Sequence, residues 1–246
     1  MSNSIIGDLL VNLAAAAIGA LAVRLYTYYR HERSIKAVKW FWAPQSAKKI
    51  YLYSGEWETS LSEFGEIEPV INKQDAIIWG ELRSFLLPHF SEVVVTTDKD
   101  EIDWAYPVVS LGGPVPNPIS KEIGGKGLLP VWFLDLPYDK RSVRKFGTKN
   151  RSEVYQSAFD ANGQITTDIG FVARIKSPQN TNQFIYVIAG NYGVGTLGVI
   201  KHLISVEKLA ELRKTIDSRC FQAVIRSQLL QQRVVDTTVV HTTNID

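Results

Sequence analysis

The stretch from Tyr106 to Ile123, YPVVSLGGPVPNPISKEI, constrains the rest of the chain more than any other. Val108 to Leu111 is short, apolar and β-branched, as a strand buried on both faces of a parallel sheet requires. Gly112 and Gly113 end it, because two glycines let the backbone turn sharply, accept positive φ and leave no Cβ beside a bound group. Asn117 followed by Pro118 predicts a helix N-cap with proline at the first helical position. Strand, glycine loop and helix start in that order form an anion-binding geometry, since unpaired N–H groups and the positive end of the helix dipole face the loop.

A second stretch, FIYVIAGNYGVGTLGVIKHL from Phe184 to Leu203, repeats that grammar. Phe184 to Ala189 predicts a strand, Gly190, Gly193 and Gly195 the loop, and Thr196 an N-cap, with Leu197, Ile200, Leu203 and Ile204 facing inward. Two phosphate motifs fail here. A P-loop needs lysine where Thr196 stands, and a dinucleotide fingerprint needs GxGxxG where this loop runs GxxGxG. What remains is a loop able to approach a ligand, or glycine easing a tight turn and close helix packing.

The N-terminus predicts a membrane anchor. Ile5 to Tyr29 has the length needed to cross about 30 Å of hydrocarbon, with Asp8, Asn12 and Arg24 as its polar members. Tyr26, Tyr28 and Tyr29 would form an interfacial belt, and Arg24, Arg30, Arg33, Lys36 and Lys39 on one side place the C-terminal domain in the cytoplasm. No Lys or Arg precedes the apolar run, which disfavours a cleaved export signal. Ala15 with Gly19, and Ala16 with Ala20, match the small-xxx-small spacing of helices that self-associate in membranes, although alanine is common in such helices anyway. Trp40, Phe41 and Trp42 among basic residues then suit a segment lying on anionic headgroups. The expected division is an anchor over 1–30, a basic and aromatic linker over 31–49, and one α/β domain over 50–246 of the 246 residues.

Within that domain, Ile50 to Tyr53 predicts a first strand whose end at Ser54-Gly55 sets Glu56 and Trp57 at a crevice or in a plain turn before the loop through Gly65 and Pro69. Lys73 to Leu87 predicts an amphipathic helix stopped by Pro88, and Glu92 to Thr96 a second strand. Pro130 to Leu134 is another strand, with Asp135 just past its end as a ligand-binding acid or a cap. Lys140, Arg141, Arg144, Lys145, Lys149 and Arg151 form a basic cluster that either closes on phosphates or is solvated surface. Asn162-Gly163 between Val154–Phe159 and Ile165–Ile175 marks a hairpin inserted in the sheet. Val206 to Ile216 predicts a helix, and Phe221–Ile225 and Arg233–Val240 closing strands. The fold class is therefore α/β, a Rossmann-like open and mainly parallel sheet with a β-hairpin insertion, behind one N-terminal transmembrane helix.

Several chemistries are excluded or left without support. A formal net charge of +2 gives no reason to expect nucleic acid. One cysteine, Cys220, excludes an intrachain disulfide and any multi-cysteine zinc site. The acidic loop DKDEID lacks the spaced ligands and turn glycine of a calcium loop, and the four histidines fall in no metal or nucleophile motif. No nucleophile or base stands out, which leaves enzymatic activity uncertain and leans against it; neither a metal nor a cofactor is expected.

Leu111-Gly112-Gly113-Pro114 with Asn117-Pro118, then Ala189-Gly190 and Gly193-Val194-Gly195-Thr196-Leu197, resembles a Rossmann-like domain of bacterial and archaeal proteins with GGPxxN and GxGT loops. In general character it is also similar to the SLOG-type nucleotide-sensor domains fused to transmembrane helices in bacterial conflict systems, which serve antiviral defence. The resemblance covers about residues 50–205. The glycine-methionine and glutamate signature of phosphoribohydrolase-like members is absent, so their chemistry is not implied. The expected function is a single-pass inner-membrane sensor or effector whose cytoplasmic domain binds a nucleotide-like, phosphate-bearing ligand and signals to the helix. Gly112, Gly113, Asn117, Asn191, Tyr192, Gly193, Gly195 and Thr196 would line the site, with Tyr192 stacking on a ring and Asn117 hydrogen-bonding. A nucleotide or N-glycoside hydrolase in the same crevice and a membrane-tethered scaffold are the alternatives. Its partners would be the bilayer, the nucleotide-like ligand and a second copy through Ala15, Ala16, Gly19 and Ala20.

Overall fold

The computed structural model describes residues 2–42, 47–55, 57–59, 68–70, 73–134 and 144–245. Glu56, Gly65, Asp135, Lys140 and Arg141, singled out above, lie outside them. The chain divides into two compact units, Met1–Pro44 and Gln45–Asp246.

The first unit is a single helix, α1 (Ser2–Trp42), of 41 residues. It does not stop near residue 30, because nothing between Gly19 and Pro44 breaks a helix and Glu32 supports the lower half through an i,i+4 pair with Lys36 at 3.1 Å. The expected linker over 31–49 is thus largely helix, and Ala37, Val38, Phe41 and Trp42 in its last turns are buried. Among the described residues no helix is long and apolar enough to cross a membrane. This corrects the transmembrane anchor, and with it the single-pass inner-membrane placement and the cytoplasmic orientation. Among the residues of α1 whose side chains are described, the apolar run Ala16 to Val23 is eight residues long before Arg24 and the polar stretch that follows it, far short of a span. Ala16, Gly19 and Ala20 are exposed, while the side chain of Ala15 lies outside the described residues.

The second unit is built on one large sheet. Its strands are β1 (Lys49–Ser54), β4 (Glu92–Thr96), β5 (Val108–Leu111), β9 (Ala158–Phe159), β10 (Ile165–Lys176), β11 (Phe184–Gly190), β12 (Phe221–Leu230) and β13 (Arg233–Asn244), in the order β13-β12-β10-β11-β5-β1-β4 with β9 beside β10. A small pair, β2 (Trp57–Thr59) and β3 (Glu68–Val70), and a three-stranded sheet of β6 (Val131–Phe133), β7 (Lys145–Thr148) and β8 (Val154–Gln156) complete the described strands. The helices are α2 (Lys73–Leu86), α3 (Pro118–Gly125), α4 (Gly193–Ile204) and α5 (Val206–Lys214).

The large sheet is mixed, which corrects the expectation of a mainly parallel one. β4, β1, β5 and β11 run parallel, whereas β10, β12 and β13 are joined antiparallel. The cause is connection length. β10 hands over to β11 through a short turn closed by Ser177 N–H to Gln183 O at 2.9 Å, and β12 to β13 through two residues, so each pair must be a hairpin. The strand alternation then assigns the two faces. Ile185, Val187 and Ala189 of β11 join Ile119 of α3 and Phe133 and Phe146 of the small sheet in one core. Gly170, on the other face of β10, packs so closely on α4 that an added Cβ would lie 2.5 Å from Val199.

Candidate functional site

From β1 the chain crosses to β4 on one side, and β5 then pairs on the other, so the carboxyl ends of β1 and β5 form the switch point where open α/β sheets usually bind ligands. The protein fills this point itself. A Cβ on Gly55 would lie 1.6 Å from the carbonyl oxygen of Pro116, so the β5–α3 loop folds directly over the end of β1. Asn117 is fully buried and spends its side chain inside that loop. Its Oδ1 accepts from Ser120 N–H at 3.0 Å, while its Nδ2 donates to Ser110 Oγ at 2.9 Å and to Leu111 O at 2.7 Å. Beside Gly113 a Cβ would meet the Phe133 ring at 2.9 Å, whereas Gly112, at φ +95°, has open space next to it.

The second glycine loop is closed differently. Helix α4 starts at Gly193, three residues before Thr196, and its N-cap Tyr192 supplies no side-chain hydrogen bond. The cap comes from Asp168 in β10. Its Oδ2 accepts from the Tyr192 N–H at 3.3 Å, and the Gly195 N–H also bonds to this carboxylate. Its Oδ1 accepts from Ser157 Oγ at 2.6 Å and from the Ile169 N–H at 2.8 Å. Burial pushes the carboxyl up to about 6 against these bonds, which act to lower it. The positive end of α4 is therefore already occupied by an internal carboxylate. The spacing is correspondingly tight: a Cβ on Gly195 would lie 2.7 Å from Asp168 Oδ2, and one on Gly190 2.3 Å from Thr196 N. Thr196 is buried, and so is Asn191, whose Nδ2 donates to Ser157 Oγ at 3.3 Å and whose Oδ1 has no hydrogen-bond partner among the described residues.

What stays open is the outer side of the same loop. A cavity of about 450 Å³ is bordered there by Tyr192, Gly193 and Val194 at the start of α4, by the two hairpin tips β9–β10 and β12–β13, by Gln74 of α2 and by Arg144. Its volume falls in the range of small-molecule sites. The Arg144 guanidinium lies over the Tyr192 ring, 5.2 Å from its centroid, and Phe159 meets the same ring edge-on at 5.9 Å. Arg144 Nη1 also donates to the carbonyl oxygen of Asn191 at 3.3 Å, which fixes the cation against the loop. Gln74, Gln164 and Gln232 are also among the lining residues. Among the described residues no acid, histidine, cysteine, serine or threonine lines the cavity.

Of the residues expected from sequence, Tyr192 and Gly193 border this cavity, joined by Arg144 of the basic cluster, while Gly112, Gly113, Asn117, Asn191, Gly195 and Thr196 do not line it. Asp168 is not among the residues that the sequence singles out, although an aspartate inside ITTDIGFVARIK is an anomaly that a buried strand must explain. A second cavity, of about 380 Å³, lies beside α5 and β13, but its charges are largely spent: Lys208 Nζ bonds Asp236 Oδ1 at 2.5 Å and Thr237 O at 2.6 Å. Among its lining residues His202 is buried, bonded through Nδ1 to Thr237 Oγ1 at 3.1 Å, and held neutral by desolvation that pushes it down to about 4. No protein-family model matches the chain, and no curated protein matches it either.

Proposed function

We propose that the second unit is a ligand-binding domain of sensor type that takes a nucleotide-like molecule, a planar ring carrying an anionic group, into the cavity at the start of α4. The observation that carries this reading is the Arg144–Tyr192 stack on a cavity wall whose described residues include no nucleophile and no general base. A ring stacks against the exposed parts of Tyr192 and Phe159, and Arg144 meets the anionic group as a forked, permanently charged donor. The similarity in general character of residues 50–205 to SLOG-type nucleotide sensors supports the same class of ligand. Among the described residues the cavity offers no group for hydrolysis, and Asp168, the carboxylate at the start of α4, is buried and committed to the backbone there.

The test is a thermal-shift and turnover assay of the full chain with AMP, ADP, ATP, NAD and ADP-ribose. Saturable stabilisation without product is expected, about 2.7 kcal/mol at a hundredfold excess over Kd. Arg144→Ala and Tyr192→Ala should each abolish it. Product formation would replace the sensor by a hydrolase, and absence of stabilisation by every compound would refute the site.

A further inference from the structure

The two hairpin tips that border the cavity are built with opposite turn chemistry. Between β9 and β10 the tip carries Asn162-Gly163, with the positive φ of +76° falling on glycine. Between β12 and β13, Leu230 pairs with Arg233 across a two-residue turn in which Gln231 and Gln232 both take positive φ, +49° and +61°. A turn with two left-handed residues strongly favours Asn-Gly, and glutamine has neither the missing Cβ of glycine nor the short polar side chain of asparagine that ease this conformation. Gln232 borders the cavity, and Gln231 does not. Strain of this kind gathers where a side chain has to be aimed at a ligand.

Three carboxamides from separate elements, Gln74, Gln164 and Gln232, therefore border the same cavity as the Tyr192 ring. A carboxamide offers a donor and an acceptor side by side, which matches the amino group and adjacent ring nitrogen of adenine. Guanine presents two adjacent N–H donors on its pairing edge and is best met by a carboxylate, and among the described residues no Asp or Glu lines the cavity. Resting on the ligand class proposed above, we infer that the strained β12–β13 turn aims Gln232 at the edge of an adenine-type ring, making it the residue that selects the base.

The experiment compares the full chain with Gln232→Gly and Gln231→Gly, measuring unfolding and the binding of AMP, GMP and purine riboside 5′-monophosphate, which lacks the amino group. Either substitution relieves one left-handed glutamine and should raise Tm by about 2–4 °C. Wild type should bind AMP at least tenfold more tightly than GMP or the purine riboside. Gln232→Gly should lose about tenfold in AMP affinity and most of that preference, while Gln231→Gly keeps both. Unchanged AMP binding by Gln232→Gly, equal binding of GMP and AMP by wild type, or no rise in Tm in either variant overturns the inference while leaving a nucleotide site in place. Failure of the wild-type chain to bind any nucleotide overturns the proposed function as well.

Discussion

The β5–α3 and β11–α4 units look alike in sequence and are closed by different means. Asn117 caps α3 from the adjoining residue and locks the loop through Ser110, Ser120 and Leu111. Helix α4 is capped by Asp168, 24 residues before Tyr192 in sequence, with no side-chain bond from its own N-cap residue. A local cap leaves the loop packed over the switch point. A distant cap seals the inner side of the loop and frees its outer side, with Tyr192 and Gly193, to border a cavity. At the start of α4 the Asp168 carboxylate already meets the N–H groups of Tyr192 and Gly195, and the cation that lines the cavity among the described residues is Arg144.

Removing each cap separates the two closures. Asp168→Ala would strand the N–H groups of Ile169 and Tyr192 and the Ser157 hydroxyl in a buried site, and should cost about 3–5 kcal/mol in urea unfolding. Asn117→Ala loses a cap and two further bonds, and should cost about 2 kcal/mol, measured the same way. An Asp168 loss smaller than the Asn117 loss would contradict the assignment of the α4 cap.

A smaller effect sharpens the comparison through pH. Asp168 is raised above its ordinary value to about 6, so the folded state holds its proton more tightly, and the resulting stability is present below about pH 4 and lost as pH rises through 6. His202 is depressed to about 4, so its contribution runs the other way, present above about pH 6.5 and lost as pH falls towards 4. The two slopes oppose each other between pH 4 and 6. Asp168→Asn removes the first, so the variant should lose stability on acidification more steeply than wild type across that window. Parallel stability profiles for the two proteins would show that Asp168 does not titrate there.

What is legible in the sequence is what neighbouring residues decide. Asn117-Pro118 announces α3 because a cap acts across three residues, and Asn162-Gly163 announces its hairpin for the same reason. Local signals put the N-cap of α4 at Thr196, four residues after the observed Tyr192, because the carboxylate that caps the helix lies on another strand. The antiparallel half of the sheet stays hidden because SPQNTNQ and Gln231-Gln232 lack the usual hairpin pairs. At the N-terminus, length and tyrosines suggest a membrane span, whereas the described side chains of α1 pass from Ala16–Val23 straight to Arg24, Glu32 and Lys36. Arg144 and Tyr192 are each visible as candidates, one in a basic cluster and one in a glycine loop, but only the fold stacks one on the other. Gln74, Gln164 and Gln232 carry no local signal at all, since glutamine is ordinary on a surface.

A backbone amide NMR titration of the full chain with AMP tests most directly which of the two loops holds the ligand. The largest shifts should fall on Tyr192, Gly193, Val194, Gln164 and Gln232, with Gly112, Gly113 and Asn117 unmoved. Shifts centred on Gly112 to Asn117, with the start of α4 silent, would contradict it and return the ligand to the switch point between β1 and β5.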